Sequence, residues 1–371
     1  MAGHLLEIQD LHIGFRSDRT DAAGHAEAVT QAVQGVSLHL DPGETLALVG
    51  ESGSGKTVTA LSTLRLLPPR ETVYGGGRIL LDGTDVLAAS PRTLRRLRGG
   101  TAGVIFQEPM TALNPLHTVE RQIGEVLALH KGLTNAAARR RTQELLELVG
   151  IDRPDTRLKA YPHQLSGGQR QRVMIAMALA GEPRLLIADE PTTALDVTIQ
   201  AQILDLMADL QRRLGMAVLL ITHDLGVVRS VAHRTAVMHL GELKEVQPTA
   251  DLFAAPQHEY TRMLLAAEPA GTPAPVRPEA PALLEVEDLR VWFPIRRGVF
   301  RRTVGHVKAV DGIGFAIREG ESLGIVGESG SGKTTLGLAA LLLEPSQGGL
   351  RFAGQDLRTL RHRDAAAMRI I

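Results

Sequence analysis

The chain has 371 residues, 41 basic and 41 acidic side chains, no cysteine and only 3% aromatic residues. This length exceeds what one hydrophobic core usually supports, so we expect two domains. The balanced charge and scarce aromatics argue against a nucleic-acid partner, while the missing cysteines exclude disulfides and thiolate metal sites and favour a reducing compartment.

Apolar stretches are short. The longest include 173–180 and 336–343, well below the ~20 residues that a transmembrane helix needs. The beginning of the chain, MAGHLLEIQD, lacks a basic segment followed by an apolar one, so we expect no secretion signal.

The sequence repeats itself. LEIQDLHIGF (6–15) returns as LEVEDLRVWF (284–293), and the stretch 32–57, ending in GESGSGKT, returns as 309–334. Such similarity over two separate stretches indicates an internal duplication.

A proline-rich segment, EPAGTPAPVRPEAPA, separates the copies and favours extended backbone over helix or sheet. We predict a complete domain over 1–268, a semi-rigid linker over 269–282 and the N-terminal part of a second domain over 283–371. A surface loop is the alternative for the linker. Everything after residue 107 of the first copy lacks a counterpart, so we expect the second domain to be truncated or split.

A phosphate-binding pattern follows the apolar run TLALV. GESGSGKT (50–57) fits G-x-x-x-x-G-K-[ST] between a strand-like run and the helix-compatible VTALSTLRLL. Glycines let backbone N–H groups surround a phosphate, lysine adds a cation, and the threonine hydroxyl can ligate Mg²⁺. A purely structural glycine-rich turn is the weaker alternative. The residues assigned to nucleotide binding are Gly50, Gly53, Ser54, Gly55, Lys56 and Thr57.

The second copy contains the same eight residues at 327–334. We expect it to bind phosphate if its domain folds. The corresponding residues are Gly327, Gly330, Ser331, Gly332, Lys333 and Thr334.

Two acids end a short apolar run, RLLIADEP (184–191), which is typical of a buried parallel strand. We assign Asp189 to Mg²⁺ and Glu190 to the attacking water, as general base or orienting acceptor. A solvated strand end is the alternative for both. A second such run, MAVLLITHD (216–224), places His223 where it could contact a γ-phosphate, although a lone histidine is more often structural.

LSGGQRQR (165–172) resembles the signature sequence of ATP-binding-cassette (ABC) ATPases. Ser166 caps a predicted helix, and with the amides of Gly167 and Gly168 and with Gln169 it forms a second anion cradle. In that family, this cradle closes over ATP held by the phosphate loop of an opposing cassette, so the resemblance implies a head-to-tail dimer with bound ATP and Mg²⁺.

Other residues match the family by position. The resemblance assigns Gln107 to Mg²⁺ and to the catalytic group, Asp196 of TALD to the dimer interface, and Phe15 and Phe293 to the adenine. For either phenylalanine a simple core position is an equal alternative.

The resemblance implies an α/β P-loop NTPase fold with an N-terminal antiparallel β portion, a parallel core around the phosphate loop in each copy, and a helical subdomain over about 108–180. Stretches such as FQEPMTALNPLHTV resemble the ATPases of oligopeptide, dipeptide and glutathione importers, some of which fuse two cassettes in one chain.

For this subgroup we expect two transmembrane permeases, an extracytoplasmic solute-binding protein and a second cassette, either another copy or a separate subunit. The location implied is the cytoplasmic face of the inner membrane. The alternatives are a soluble ABC ATPase acting on ribosomes or nucleic acid, and a nucleotide-binding subunit without turnover.

Basic runs such as PRTLRRLR (91–98) and ARRR (138–141) stand out in a neutral chain. A solvated face explains them most simply. Contact with acidic loops or lipid headgroups at a membrane partner is the alternative.

Overall fold

A computed structural model describes residues 3–16, 29–193, 196–267, 271–272, 275, 277, 279–298, 301–328 and 330–359. The chain divides into two units, Met1–Leu195 with Ile199–Pro269, and Asp196–Thr198 with Ala270–Ile371. Part of the predicted linker, the two central residues of TALD and the segment 360–371 lie outside the described residues.

Alternating apolar side chains build an antiparallel sheet in the first unit, as predicted. In β1, Leu6, Ile8, Leu11 and Ile13 are buried while the polar residues between them are not, so one face of the sheet joins the core. The strands in spatial order are β2 (Val29–Leu40), β1 (Leu6–Arg16), β4 (Thr72–Leu81) and β5 (Thr84–Asp85).

Short apolar runs form a central sheet of six strands. In spatial order they are β10 (Glu242–Pro248), β9 (Arg234–His239), β3 (Thr45–Val49), β8 (Ala217–Ile221), β7 (Leu185–Asp189) and β6 (Ala102–Ile105). β10 is antiparallel to β9, and the other neighbouring pairs are parallel. Every residue of β3, β7 and β8 is buried, as expected for parallel strands covered on both faces.

The parallel strands end almost level with one another. Leu48 pairs with Ile221, Ile221 with Asp189, and Ala188 with Ile105. The loops that follow β3, β8, β7 and β6 therefore start at the same edge of the sheet, where ligands bind in open α/β folds.

Helices pack against the sheets of this unit. Leu186 and Ala188 of β7 face a core shared with the helices after β6, whereas Leu185 and Ile187 face the core shared with β1 and α1. No helix in the described ranges is long and apolar enough to cross a bilayer. The helices are α1 (Lys56–Ser62), α2 (Pro91–Arg96), α3 (Pro109–Ala112), α4 (Val119–Lys131), α5 (Asn135–Leu148), α6 (Pro154–Arg157), α7 (Gly167–Leu179), α8 (Val197–Leu214), α9 (Leu225–Val231), α10 (Thr249–Ala254) and α11 (Glu259–Ala266).

Helices α3 to α7 form the predicted helical subdomain. Within it, the Thr118 hydroxyl caps α4 by accepting from the Arg121 amide, and Gly132 in a left-handed conformation ends the helix. Val119, Ile123 and Leu127 are buried at a spacing of four residues, which turns one face of α4 to the core.

The second unit has a smaller set of elements. Its sheet has the spatial order β12 (Arg302–Arg318), β11 (Ala282–Arg297), β13 (Gln347–Phe352) and β14 (Gln355–Asp356), with helix α12 (Lys333–Ala340) packed against it.

The prediction of a parallel core in both copies is wrong for the second unit as described. Residues 322–326, the counterparts of β3, form no strand, and Val326 is 92% exposed. β3 itself is bonded on both sides, by β8 and β9. The described part of the second unit supplies no such neighbours, so the apolar run has nothing to pair with.

Truncating a side chain of β3 tests the importance of the central sheet. Leu48→Ala removes a fully buried side chain and should lower the free energy of unfolding by about 2–5 kcal/mol. Leu116→Ala, at a side chain that is 80% exposed, should change it by less than about 0.5 kcal/mol. Urea unfolding followed by circular dichroism measures both, and equal effects would contradict this packing.

Candidate active site

The loop after β3 has the backbone shape that its glycines predict. Gly50, Gly53 and Gly55 have φ angles of 146°, 79° and 95°. A Cβ at Gly50 would lie 2.1 Å from the Met238 carbonyl oxygen, and one at Gly55 would lie 2.5 Å from the Ala32 carbonyl oxygen. Both backbone angles and space therefore require glycine at these two positions.

The Lys56 side chain lies inside this loop and is bonded to it. Its Nζ donates to the carbonyl oxygens of Gly50 at 2.8 Å and Glu51 at 2.7 Å and to the Ser54 hydroxyl at 3.3 Å, and the residue is 6% exposed. Burial lowers the pKa of Lys56, against the opposing charges of Glu190, Asp189 and Glu51. A buried cation with neutral hydrogen-bond acceptors fits a site for an incoming phosphate.

Oxygen ligands for a hard cation meet beside this loop. The Thr57 hydroxyl donates to Asp189 Oδ1 at 2.9 Å, and Asp189 is 4% exposed. Burial raises the pKa of Asp189 and the Glu190 charge adds to this, while the Thr57 hydrogen bond and Lys56 oppose it. A hydroxyl and a carboxylate are suitable Mg²⁺ ligands, so the residues present fit the predicted metal.

Three side chains contact the Glu190 carboxylate, two from the segments after β6 and β8 and one from the turn that Glu190 itself begins. Gln107 Nε2 and the Thr193 hydroxyl each donate to Oε2 at 2.9 Å, and His223 Nδ1 lies 3.1 Å from Oε1. Of the three predicted catalytic residues, Gln107 and His223 thus each contact Glu190. The level strand ends of β6, β7 and β8 bring them together.

Glu190 is both strained and ionised. Its φ is 44°, a left-handed conformation that is costly for a residue with a side chain and that is frequent at functional sites. Burial alone would raise the pKa of Glu190, but hydrogen bonds from His223 and Thr193 and the charges of His223 and Lys56 hold it below its usual range. The carboxylate is therefore ionised and can accept a hydrogen bond from a water molecule.

Thr193 is the residue that the sequence analysis missed. It lies three positions after Glu190 in a turn, where its backbone N–H donates to the Glu190 carbonyl oxygen at 3.1 Å while its hydroxyl reaches the carboxylate. Threonine is common in turns, so the sequence carried no distinct signal for this contact.

The LSGGQ segment begins α7 as predicted. Ser166 Oγ accepts from the Gln169 amide at 3.3 Å, and Gln169 Oε1 accepts from the Ser166 amide at 3.1 Å, a reciprocal capping box. The amides of Gly167 and Gly168 lie in the first turn of α7. Within the described residues, no hydrogen bond joins this turn to the phosphate loop.

Three predicted residues lie elsewhere. Phe15 is half-buried against the core of the N-terminal sheet, Phe293 is 40% exposed in β11, and Asp196 directly precedes α8. Their predicted contacts with nucleotide or a second cassette stay predictions.

The second glycine loop has nearly the same backbone shape. Gly327, Gly330 and Gly332 have φ angles of 154°, 80° and 93°. Lys333 Nζ donates to the carbonyl oxygens of Gly327 and Glu328, both at 2.7 Å. Lys333 is less buried than Lys56, and Ser331 and Thr334 are exposed.

Known proteins support the reading of these motifs. The family model described as "ABC transporter" matches residues 33–193 and 310–370. The peptidoglycan transport ATP-binding protein YejF of Agrobacterium fabrum is 57% identical over 95% of this chain, and the uncharacterized ABC transporter ATP-binding protein YejF of Escherichia coli K12 is 54% identical over 100%. The glutathione import ATP-binding protein GsiA of Pectobacterium atrosepticum is 48% identical over 96%.

The chain spans 63%, 68% and 61% of the lengths of these three relatives. Among solved structures, the cassette MJ0796 in a dimeric post-hydrolysis state with ADP and phosphate matches with a TM-score of 0.57 and 27% identity, over 66% of this chain and 98% of its own. The cbiO1 protein of Clostridium perfringens, part of the transporter complex cbiONQ, matches with a TM-score of 0.56 and 27% identity, over 72% and 97%.

Substituting Gly55 tests the phosphate loop. Gly55→Ala places a methyl group against the Ala32 carbonyl oxygen and should weaken binding of Mg-ATP at least about tenfold by deforming the loop. Gly124→Ala, in α4 with no atom near the added carbon, should leave affinity unchanged. Isothermal titration calorimetry measures this, and equal affinities in the two variants would contradict the assignment.

Proposed function

This chain belongs to the ABC transporter family, and on that basis we propose that it is an ATP-hydrolysing subunit of an importer. The observation that carries the proposal is the hydrogen-bonded group of Gln107, Glu190 and His223 at the same sheet edge as the Lys56 loop. Phosphate binding alone would need the loop but not this group.

The proposed reaction converts ATP and water into ADP and phosphate. The amides of the glycine loop and Lys56 hold the β- and γ-phosphates. The ionised Glu190 carboxylate accepts a hydrogen bond from the attacking water and takes its proton, while His223 contacts the γ-phosphate. Gln107 and Thr193 fix the carboxylate in place through its Oε2 atom.

Thr57 and Asp189 would hold Mg²⁺, with the side-chain amide oxygen of Gln107 as a further ligand. The ion, when bound, neutralises phosphate charge. The short contact between the Thr57 hydroxyl and Asp189 supports this set because the two groups already point at one another.

A head-to-tail pair of cassettes completes the proposed site. The capped turn at Ser166 offers free helix N-terminal amides but makes no hydrogen bond to the phosphate loop of its own chain within the described residues. We propose that it covers ATP held by another cassette, with Asp196 at the interface. The dimeric state described for MJ0796 supports this arrangement.

The proposed setting is the cytoplasmic face of the inner membrane, with two permeases and an extracytoplasmic binding protein. The relatives named for peptidoglycan transport and for glutathione import support a peptide or a similar small solute as cargo. ATP binding closes the cassettes and hydrolysis reopens them, which drives the permeases.

We also propose that the chain carries a second cassette region. Residues 1–268 form the first cassette, 269–282 the linker and 283–371 part of the second. Support comes from the equal loop shapes around Lys56 and Lys333 and from two antiparallel sheets of corresponding strand order. Phe15 and Phe293 are assigned to adenine in their respective copies.

Glu190→Gln is the main test of hydrolysis. It removes the proton acceptor but keeps the shape, so Mg-ATP affinity should stay within about threefold while turnover falls at least about 100-fold. An ATP-bound dimer should then accumulate in size-exclusion chromatography. Glu125→Gln, on an exposed face of α4, should retain full activity. Unchanged hydrolysis in Glu190→Gln would remove Glu190 from its role.

Thr193 is tested as a positioning residue. Thr193→Val deletes a hydrogen bond to a charged group, so kcat should fall about tenfold with little change in ATP affinity. Thr193→Ser keeps the hydroxyl and should restore kcat. Steady-state kinetics with separate binding measurements distinguishes the two, and equal losses of kcat in both variants would indicate a packing role instead.

A further inference from the structure

A cavity of about 900 Å³ lies in the first unit, away from the nucleotide loop. Its walls come from α2, the C-terminal end of α4 and the turn Gly181–Arg184. Thr101 and Arg184 line it and immediately precede β6 and β7, whereas Gln107 and Glu190 follow those strands. The cavity is therefore at the opposite edge of the sheet, about 13–17 Å away at ~3.3 Å per residue.

The lining of this cavity is strongly basic. Six basic side chains contribute to it: Arg92, Arg95, Arg96, Arg98, Lys131 and Arg184. Glu182 is the one carboxylate among the described lining residues. Low-dielectric walls around charges of one sign focus the electrostatic field and concentrate counter-ions.

Part of this charge is already balanced and held in place. Glu182 accepts from Lys131 at 2.7 Å and from Arg141 at 3.1 Å, and Arg184 pairs with Asp82. The hydrogen bond from Lys131 lowers the pKa of Glu182, so this acid stays ionised. These ion pairs neutralise Lys131 and Arg184 in the cavity wall, but they do not balance the positive charge of the arginines on α2.

The arginines of α2 line the cavity, and none of them has a carboxylate partner among the described residues. Arg92, Arg95 and Arg96 are spaced i, i+3 and i+4, which places them on one side of the helix. Leu94 and Leu97 are buried and fix the opposite side in the core. Within the described part of the chain, no ion pair involves these three arginines.

Arg98 also lines the cavity, and hydrogen bonds hold its side chain in place. Its guanidinium donates to the carbonyl oxygens of Leu64 at 2.8 Å and Arg65 at 2.6 Å, which holds its charge in one place. Like charges on one helix face repel one another. A convex solvated face would spread them apart, whereas here they line the same concave surface as Arg98.

We propose that this cavity binds an anion with more than one phosphate charge. Guanidinium forks match phosphate oxygens, and several converging arginines need more than a single negative charge to balance them. The volume lies within the usual range for small-molecule sites. The ligand is either a free oligophosphate or a phospholipid headgroup with two phosphates, since both offer this chemistry.

The test compares two triple variants of the full chain. Arg92→Gln/Arg95→Gln/Arg96→Gln removes the free charge of the cavity, and Arg139→Gln/Arg140→Gln/Arg212→Gln removes the same charge from exposed positions outside it. Both should melt like the unaltered protein because all six side chains are exposed.

The first probe is inorganic tripolyphosphate, titrated calorimetrically with excess Mg²⁺ and a non-hydrolysable ATP analogue. The unaltered protein and the outside variant should bind it, and the cavity variant should bind at least about tenfold more weakly. Because both variants keep the phosphate loop intact, the comparison holds whether or not the analogue occupies that loop.

The second probe is a vesicle of cardiolipin, whose headgroup carries two phosphates, and phosphatidylcholine, with pure phosphatidylcholine as blank. Retention on the anionic vesicles that the cavity variant alone loses identifies a headgroup as the source. Tripolyphosphate binding without retention identifies a free oligophosphate. Absence of both, or equal effects of the two triple variants, overturns the proposal.

Discussion

The buried ammonium group of Lys56 sets the requirements for the rest of the first unit. It is held by carbonyl oxygens inside a loop whose angles only glycine tolerates at low cost, and burial lowers its pKa. Such a group is costly without an anion. The parallel strands end level with one another, so that Gln107, Glu190 and His223 follow the same edge of the sheet as the loop of Lys56.

Two adjacent carboxylates are driven in opposite directions by their surroundings. Burial raises the pKa of Asp189, while hydrogen bonds from His223 and Thr193 and nearby positive charges lower the pKa of Glu190 despite its own burial. Neighbouring acids thereby suit different tasks, one beside a metal-binding hydroxyl and one beside the space for water. Although adjacent in sequence, the two side chains contact different groups, since Asp189 accepts from Thr57 and Glu190 accepts from Gln107 and Thr193.

Much of this was predictable because the motifs are local. The glycine loop, the acid pair and the serine-capped helix each occupy fewer than ten residues, and the register of the strands then places them. Thr193 was not predictable because its contact depends on a turn, and the strand expected at 322–326 failed because a parallel strand depends on neighbours far along the chain. The basic cavity combines α2, α4 and the turn before β7, and sequence alone showed just one of its walls.

The loops around Lys56 and Lys333 have nearly the same backbone angles although their surroundings differ. The second loop keeps its angles although the run before it lies outside any sheet, so the information for the fold of this octapeptide resides in its own glycines and the helix after it. The affinity of the second loop for phosphate should be lower, since solvent reaches Lys333 and weakens its Coulombic attraction for an anion. The octapeptide grafted into another protein would therefore keep its loop shape, but its affinity for phosphate would depend on how far that protein buries the lysine.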